Sequence, residues 1–179
     1  NYNDGSASVG EYGARYAGNL GNSLKISSCG GAAAYAKVTT TTTNSTASAA
    51  GSTIPVTLGQ NFVVGDIITA IGSDTTRYKV TAIAFDSGSA GAGDLTLEQE
   101  ADSTQKLAAD VASGVNISRE WEYAKQFNGP PGTSTYASGR ASAGTTDELH
   151  IVVIDEDGSF SGVVGTVLEM FEKVSKAAD

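Results

Sequence analysis

The segment DELHIVVIDEDGSFSGVVGTVLEMFEKV, residues 147–174, holds the longest dense run of apolar residues in the chain. Within it, every residue of 149–154 except His150 is aliphatic, a pattern typical of a strand covered on both faces inside a sheet. Three carboxylates and a glycine follow at 155–159, where the pair Asp157-Gly158 favours a tight reversal of the chain. The sequence therefore predicts a buried strand that ends in a turn.

The second half of this segment, residues 163–174, fits two structures. Thr166 and Glu169 match a helix capping box, and apolar residues follow at helical spacing. The β-branched and aromatic content and the preceding turn favour a strand instead, which would pair antiparallel with residues 149–154 and cover their edge. We predict the hairpin, and a helix over 163–174 is the alternative.

Composition indicates a globular, mostly β protein. The chain has 179 residues and 40% hydrophobic content, which suits one domain with a large insertion or two small domains. Its 22 glycines, only 5 Phe and 1 Trp, and long Ser/Thr/Ala tracts indicate many turns and thin cores. The predicted fold class is α+β, mostly β, built round the antiparallel hairpin.

The charge balance argues against nucleic acid as a partner. Eleven basic and twenty acidic side chains give a net charge of −9, and Lys and Arg form no cluster, so binding to a phosphate backbone lacks its electrostatic basis. The lone Cys29 cannot form an intrachain disulfide, which leaves secretion neither supported nor excluded.

No apolar run is long enough for a membrane helix, and no signal segment opens the chain. A soluble chain without a membrane partner is therefore expected. The sequence starts at Asn1 without a methionine and stops at Asp179 directly after an apparent structural segment. We expect it to be a fragment of a longer protein.

The middle of the chain has the pattern of an inserted module. Residues 38–52, rich in Thr, Ser and Ala, predict an exposed linker or mobile loop that marks a boundary. Residues 54–98 alternate apolar runs with turns, which predicts four or five strands in a small antiparallel barrel or sandwich. Residues 100–114 contain good helix formers and a glycine stop, so one short helix is predicted. The β-rich module is assigned to residues 38–117 and is expected to be surface-exposed.

The flanking segments, residues 1–37 and 118–179, are assigned to a discontinuous core region. Residues 1–21 predict a loop-like opening segment, and residues 24–27 alternate like a short strand. Residues 117–127 predict a strand with three aromatic side chains on one face, anchoring the insertion. These are Trp121, Tyr123 and Phe127. The breaker at 128–132 opens a long loop that continues to Thr146.

Few residues are candidates for catalysis. His150 is the only histidine, so any Ser/His/Asp or Cys/His arrangement must use it. No serine is marked as a nucleophile, and Cys29 is distant in sequence, which favours a buried structural histidine. Glu120 and Glu122, two apart on a predicted strand, face the same side as ordinary surface charges rather than as an acid and base pair.

Candidate ligand-binding motifs also fail on spacing. Residues 155–158, Asp-Glu-Asp-Gly, resemble the start of a calcium loop, but Thr166 takes the twelfth position where a glutamate is needed, and a solvated turn is predicted. No glycine pattern for binding phosphate is present. Residues 44–46, Asn-Ser-Thr, match the acceptor pattern for N-glycosylation. In a tract rich in Thr, Ser and Asn such a match is expected by chance. No catalytic, cofactor-binding or metal-binding residue is predicted, and the chain is not expected to be an enzyme.

A resemblance to a known family is carried by three segments in a fixed order. Residues 13–26, GARYAGNLGNSLKI, are similar to the motif A-x-Y-P-G-x-x-G-N-x-L-x-[IV], and residues 131–134, PGTS, to a loop that precedes a hairpin in that family. Residues 147–158, followed by VLEMFEKVS at 167–175, are similar to that hairpin, whose return strand reads V-x-E-x-F-E-x-[LV]-S. Together they resemble the tail sheath proteins of contractile-tailed bacteriophages (myoviruses). Ala17 departs from the proline common in the family, and residues 38–117 have no counterpart, as in a lineage-specific insertion.

The resemblance implies the central part of a longer sheath subunit, without its terminal arms and its tube-contacting domain. Such subunits stack as hexameric rings around an inner tube, and their contraction drives the tube through the host envelope before genome ejection. The implied partners are other sheath subunits, with the tail tube and baseplate in the full assembly. The implied location is the virion tail, and the host cytoplasm during assembly. The isolated chain is expected to be monomeric, with residues 38–117 projecting from the outer surface of the sheath.

Two other classes of function compete with this interpretation. A cell-surface or carbohydrate-binding β module, similar to an adhesin, would use aromatic contacts, with Trp121, Tyr123, Tyr78 and Phe62 as candidates. A longer reading frame with terminal arms would favour the sheath, and a signal peptide or repeats would favour the adhesin. An enzyme would require a hydrolytic activity that His150→Ala abolishes, and none is expected.

Overall fold

The computed structural model describes residues 12–15, 18–86, 91–139 and 146–176, and the chain divides into two compact units. One comprises Asn1–Gly31 and Pro131–Asp179, and the other Ala32–Pro130. The predicted fold class is confirmed, since two antiparallel sheets account for most of the regular structure. The assigned boundaries at residues 38 and 117 both fall inside the second unit, because the strands that contain or adjoin them pair with each other.

Most of the regular structure is strand, with a few short helices between some of the strands. The strands in the described residues are β1 Leu24–Cys29, β2 Ala36–Thr42, β3 Thr53–Val56, β4 Ile67–Ile71, β5 Tyr78–Phe85, β6 Gly93–Gln99, β7 Asn116–Glu120, β8 Glu148–Asp155 and β9 Thr166–Ser175. The single-turn helices are α1 Asn19–Asn22, α2 Ala32–Tyr35 and α3 Thr135–Ser138. Each helix within the described residues is far shorter than a membrane-spanning helix.

The first unit contains a three-stranded antiparallel sheet in the order β1-β8-β9. The predicted strands at residues 24–27 and 149–154 and the predicted hairpin are confirmed. The alternative helix over 163–174 is wrong, because β9 satisfies its backbone groups by pairing with β8 rather than within a helix. The reversal is also longer than a tight turn, since residues 156–165 connect the two strands.

Burial of β8 is one-sided, contrary to the prediction that both faces are covered. His150, Val152 and Ile154 are buried on one face, whereas Leu149, Ile151 and Val153 on the other face are only half-buried. Successive residues of a strand point to opposite faces, so an unbroken aliphatic run shows only that neither face is strongly polar. One apolar face of this sheet is therefore partly accessible to solvent.

The second unit is a six-stranded antiparallel sheet in the order β2-β7-β4-β5-β6-β3. Its edge strands approach each other at a bridge between Thr43 and Val56, where Thr57 N also donates to Thr42 O at 2.9 Å. The barrel is nevertheless not closed. The core inside the curved sheet consists of Ile54, Val56, Phe62, Ile68, Ile71, Tyr78, Val80, Leu95, Leu97, Leu107, Val111 and Ile117.

The predicted linker at residues 38–52 is wrong over its first part, which belongs to β2. Thr40, Thr41 and Thr43 are buried, and their hydroxyl groups are used in the interior. Thr43 Oγ1 donates to Ala112 O at 2.7 Å and accepts from Val115 N at 2.9 Å. Threonine is β-branched and suits a strand, so a polar tract can be buried wherever the fold supplies hydrogen-bond partners.

The predicted helix at residues 100–114 is also wrong, because this segment pairs with other parts of the sheet unit. Leu107 N donates to Gly51 O at 3.0 Å, and Val111 N donates to Ala47 O at 2.8 Å. Leu107 and Val111 are buried as their spacing suggested, but through an irregular extended segment. Tertiary hydrogen bonds outweigh a weak helix propensity here.

The predicted strand at residues 117–127 ends early, since β7 stops at Glu120 and a 3-10 turn follows at Ala124–Gln126. The three aromatic residues therefore do not share a strand face, yet they pack together. The ring centroids of Trp121 and Phe127 are 5.5 Å apart and stacked, and those of Trp121 and Tyr123 are 5.6 Å apart. Residues 1–11 and 140–145, parts of the two predicted loops, lie outside the described residues.

Candidate functional site

The β8–β9 hairpin is organised by a buried carboxylate at the end of β8. Asp155 is fully buried, and its side chain accepts four hydrogen bonds. Ser23 Oγ donates to Oδ1 at 2.6 Å. Phe160 N at 3.0 Å, Ser161 N at 2.7 Å and Ser161 Oγ at 2.8 Å donate to Oδ2. The loop 156–165 is thus folded around one side chain, which is also bonded to the residue preceding β1.

The ionisation of Asp155 is set by two opposing effects. Burial on its own raises the pKa of a carboxyl, because it disfavours the charged form. The hydrogen bonds from Ser23, Ser161 and Phe160 outweigh burial and hold the pKa of Asp155 well below its usual range. The side chain is therefore an anion stabilised by donors on both sides, and the prediction of a solvated turn is wrong for this residue.

A second carboxylate cluster lies at the opposite end of β8. Asp147 accepts from Ser134 N at 2.8 Å and Ser134 Oγ at 2.7 Å, and also from the hydroxyl of Ser175 at the end of β9. Glu148 Oε2 accepts from Gly132 N at 2.9 Å. The hydrogen bond from Ser175 and those from Ser134 lower the pKa of Asp147 to about 2. The loop at residues 131–134 is thereby bonded to the start of β8, and the carboxylate of Asp147 also bonds Ser175 at the end of β9.

We expect the first unit to lose stability in acid. Both Asp147 and Asp155 have a pKa lowered in the folded protein, so their stabilising contribution is complete above the unfolded-state pKa of about 4. It is lost as the pH falls through the folded-state pKa, which for Asp147 is about 2. Urea unfolding measured from pH 7 to pH 2 should show constant stability above about pH 5 and a steep decline below about pH 4.

The same titration on the double variant Asp147→Asn with Asp155→Asn is the control. Its stability should fall less between pH 4 and pH 2 than that of the native chain, since the two groups that gain protons are missing. An equal acid dependence in both proteins would show that other carboxyls carry the effect.

His150 is fully buried on β8, and its side chain accepts a hydrogen bond from the backbone of the neighbouring strand β9. Glu172 and Lys173 bulge out opposite it, because the β8–β9 register passes from Leu149–Val174 directly to Ile151–Phe171. Lys173 has a left-handed φ of 51°, and its N–H donates to His150 Nδ1 at 3.0 Å. The prediction of a buried, hydrogen-bonded histidine is confirmed, and its ring nitrogen replaces an acceptor that the bulge removes from the ladder.

Replacing His150 with leucine should destabilise the chain by about 1 to 3 kcal/mol, because a buried N–H loses its acceptor while the side-chain volume is largely kept. The free energy of unfolding in urea measures the change. Lys173→Ala is the matched control, since it leaves the backbone N–H bonded and should change stability little. A leucine variant as stable as the native chain would contradict this role for the ring.

Exposed apolar side chains are concentrated on the same hairpin. We call the loop residues Phe160, Val163 and Val164, exposed by 48%, 64% and 73%, the hairpin tip. On β9, Leu168, Met170, Phe171 and Val174 are also exposed, by 37% to 49%. Apolar groups so placed on a rigid element are typical of a surface that contacts another macromolecule.

The residues considered for calcium do not form a metal site. The carboxylate of Asp155 points inward and is saturated with hydrogen bonds, whereas Glu156 and Asp157 are exposed. Lys25 Nζ lies 3.7 Å from Glu156 Oε1. Among the described residues, no group of three or more His, Cys, Asp or Glu side chains could hold a metal ion.

Glu120 and Glu122 each form an ion pair with a positively charged side chain and do not pair with each other. Arg77 donates to Glu120, and Lys79 Nζ lies 2.7 Å from Glu122 Oε1. Glu122 lies beyond the end of β7, so the two residues are not on one strand as predicted. Their ion pairs join the β7 region to β5 and give a structural account of both carboxylates.

The aromatic contacts considered for a binding module are mostly in the interior. Phe62, Tyr78 and Trp121 are exposed by only 3%, 0% and 5%, and Tyr123 is half-buried. The expectation that these side chains line a ligand surface is therefore wrong for the first three. Asn44, in the glycosylation pattern, is exposed, and its Nδ2 donates to Val56 O at 3.3 Å.

The serines that bind the two carboxylates were not identified from the sequence. Ser23, Ser134 and Ser175 lie in the three segments that carry the family resemblance, and Ser161 lies in the loop of the hairpin. Nothing in their local pattern marks them as partners of Asp147 and Asp155. Their contacts show how segments distant in sequence meet in one small sheet. No family model, curated protein or solved structure gives a significant match to this chain.

Proposed function

We propose that this chain is part of a structural subunit of a contractile phage tail sheath, acting by assembly around a tail tube and by contraction. The observation that supports it best is the meeting of three segments that resemble the family. The first segment supplies the first half of β1, a strand that pairs with β8 along its length, and Ser23, which donates a hydrogen bond to Asp155. The second, at residues 131–134, bonds Asp147 and Glu148. The third is the hairpin itself.

This arrangement has the character of an assembly module rather than of a reaction site. The buried side chains of Asp147, His150 and Asp155 hold strands and loops together, and the exposed surface of the hairpin includes several apolar side chains among charged ones. A subunit that transmits force between neighbours needs both a firmly bonded element and a surface for contact. We propose other sheath subunits as the partners, and an outward-facing position in the sheath for the Ala32–Pro130 unit.

Expression of the complete reading frame that contains this chain tests the proposal. Electron microscopy of the purified product should show tubes built from stacked six-membered rings, and a reconstruction should place the β8–β9 hairpin in the body of each ring. Deletion of residues 32–130, which form a compact unit, is a matched variant and should leave ring formation intact. A product that carries a signal peptide and remains monomeric would favour the adhesin alternative.

A reconstruction of the intact tail also tests the position of the second unit. We expect density for residues 32–130 on the outer surface of the sheath. Density for this unit against the inner tube would contradict the proposed position without affecting the assignment to a sheath.

A further inference from the structure

The sequence contains the pair Asn-Gly once, at residues 128–129, and the structure places it in an exposed bend. The bend covers residues 127–129, between the 3-10 turn Ala124–Gln126 and the pair Pro130-Pro131. Asn128 is exposed, and Gly129 is half-buried. Neither residue belongs to a helix or a strand, so rotation about their main-chain bonds disrupts no helical or sheet hydrogen bond.

Gly129 has a conformation and surroundings that suit a reaction with the side chain before it. Its φ of 151° lies in a region that glycine adopts freely and other residues rarely adopt. A Cβ at this position would meet no heavy atom within 4 Å. The side chain of Asn128 therefore has room to turn toward the amide nitrogen of Gly129, and no β-carbon shields that nitrogen.

From these observations we propose that Asn128 is a site of spontaneous deamidation. The deprotonated amide nitrogen of Gly129 attacks Cγ of Asn128, and the side-chain nitrogen leaves as ammonia. Such an attack within one chain is fast when the two atoms can approach closely. Water then opens the succinimide ring at either carbonyl. Opening at Cγ gives aspartate, and opening at the main-chain carbonyl gives isoaspartate, in which the main chain continues through Cγ.

The other asparagines that the structure describes are less able to react. None of them precedes glycine, so a β-carbon hinders the approach to the next amide nitrogen. Asn19 lies within α1, and the residues that follow Asn22 and Asn116 are buried. The side-chain amides of Asn44 and Asn61 donate hydrogen bonds to backbone carbonyl groups. Among the described asparagines, the structure thus singles out Asn128.

The reaction adds a negative charge near the end of the second unit and leaves the fold of that unit intact. The contacts that hold this end precede Asn128. Tyr35 Oη donates to Ala124 O at 2.7 Å, and the rings of Trp121 and Phe127 are stacked. We therefore expect acidic forms of the chain to accumulate with time while the midpoint of thermal unfolding stays unchanged. This inference does not depend on the function proposed above.

The experiment incubates the purified native chain in mildly alkaline buffer, which favours the deprotonated amide, and follows residues 126–140. Trypsin releases this peptide, and Asn128 is its only asparagine. The mass change from NH2 to OH should appear at Asn128 roughly tenfold faster than at any other described asparagine. Aspartate and isoaspartate forms of the peptide should both appear. Asn128→Gln is the matched variant, since it keeps the amide but closes the corresponding ring at least about tenfold more slowly.

The same incubation in guanidinium chloride tests whether the fold permits the reaction. The rate at Asn128 in the native chain should lie within about tenfold of the rate in the unfolded chain, because the bend needs no global unfolding to react. Greater protection in the native chain would overturn the proposal. A rate at Asn128 no higher than at the other described asparagines would also overturn it. Equal conversion of the peptide in the Asn128→Gln variant would place the reaction at another residue.

Discussion

Replacing Asp155 with alanine is expected to lower the midpoint of thermal unfolding of the hairpin unit by roughly 10 °C. The carboxylate accepts four hydrogen bonds in the interior, and alanine leaves the hydroxyl of Ser23 and the backbone amides of Phe160 and Ser161 without their acceptor. Buried donors that lose their partners cost more than the hydrogen bonds contributed. The loop 156–165 should then open first, since its conformation depends on this side chain.

Circular dichroism reports the midpoint, and hydrogen exchange at Phe160 and Ser161 reports the opening of the loop. Asp157→Ala is the matched control, because it removes an exposed carboxylate from the same turn and should shift the midpoint little. Asp155→Asn should give an intermediate loss, since the amide keeps one acceptor oxygen. If Asp155→Ala and Asp157→Ala behaved alike, the cluster would not hold the hairpin.

Replacing Tyr78 with alanine should reduce the free energy of unfolding of the second unit by about 4 kcal/mol. This value lies within the usual range for the removal of a buried aromatic side chain. Tyr78 is fully buried at the start of β5. Its hydroxyl donates to Asp74 Oδ2 at 2.9 Å and accepts from Ala108 N at 3.0 Å. The side chain therefore joins the core, the turn before β5 and the extended segment around Leu107.

Urea unfolding measures this loss, and two variants separate its causes. Tyr78→Phe keeps the ring and should cost about 1 to 3 kcal/mol, because Ala108 N and the Asp74 carboxylate lose their partner. Phe85→Ala, at the 61% exposed end of the same strand, should have little effect. A Tyr78→Phe variant as stable as the native chain would show that the hydroxyl is not needed to hold the segment at Leu107.

Several elements could be predicted because their signal is local. The aliphatic run at residues 149–154 predicts β8, and the apolar runs separated by turns over residues 54–98 predict the strands β3 to β6. Predictions failed where local preference and tertiary context disagree. Residues 100–114 have helix formers, but hydrogen bonds from Leu107 to Gly51 and between Val111 and Ala47 hold them in an irregular, non-helical conformation, and no local pattern contains that information.

The polarity of a segment was a poor guide to its burial. The threonine tract was predicted to be exposed, yet Thr43 is 2% exposed because its hydroxyl has both a donor and an acceptor in the interior. Conversely, Phe171 and Val174 are apolar and remain exposed on an edge strand. Burial depends on which partners the fold brings near a side chain, and those partners are distant in sequence.

The hairpin at residues 147–174 shows both what a local sequence pattern can predict and what depends on tertiary contacts. By itself the sequence determined its first strand, its reversal and the absence of a calcium-loop spacing, because each depends on residues close together in the chain. It favoured a second strand but left a helix open. Only the tertiary structure decided that β9 is a strand, that Asp155 is a buried anion and that His150 supports a bulge. The reason is physical: Ser23 and Asp155 are 132 positions apart, and a hydrogen bond across that distance exists only once the sheet has formed.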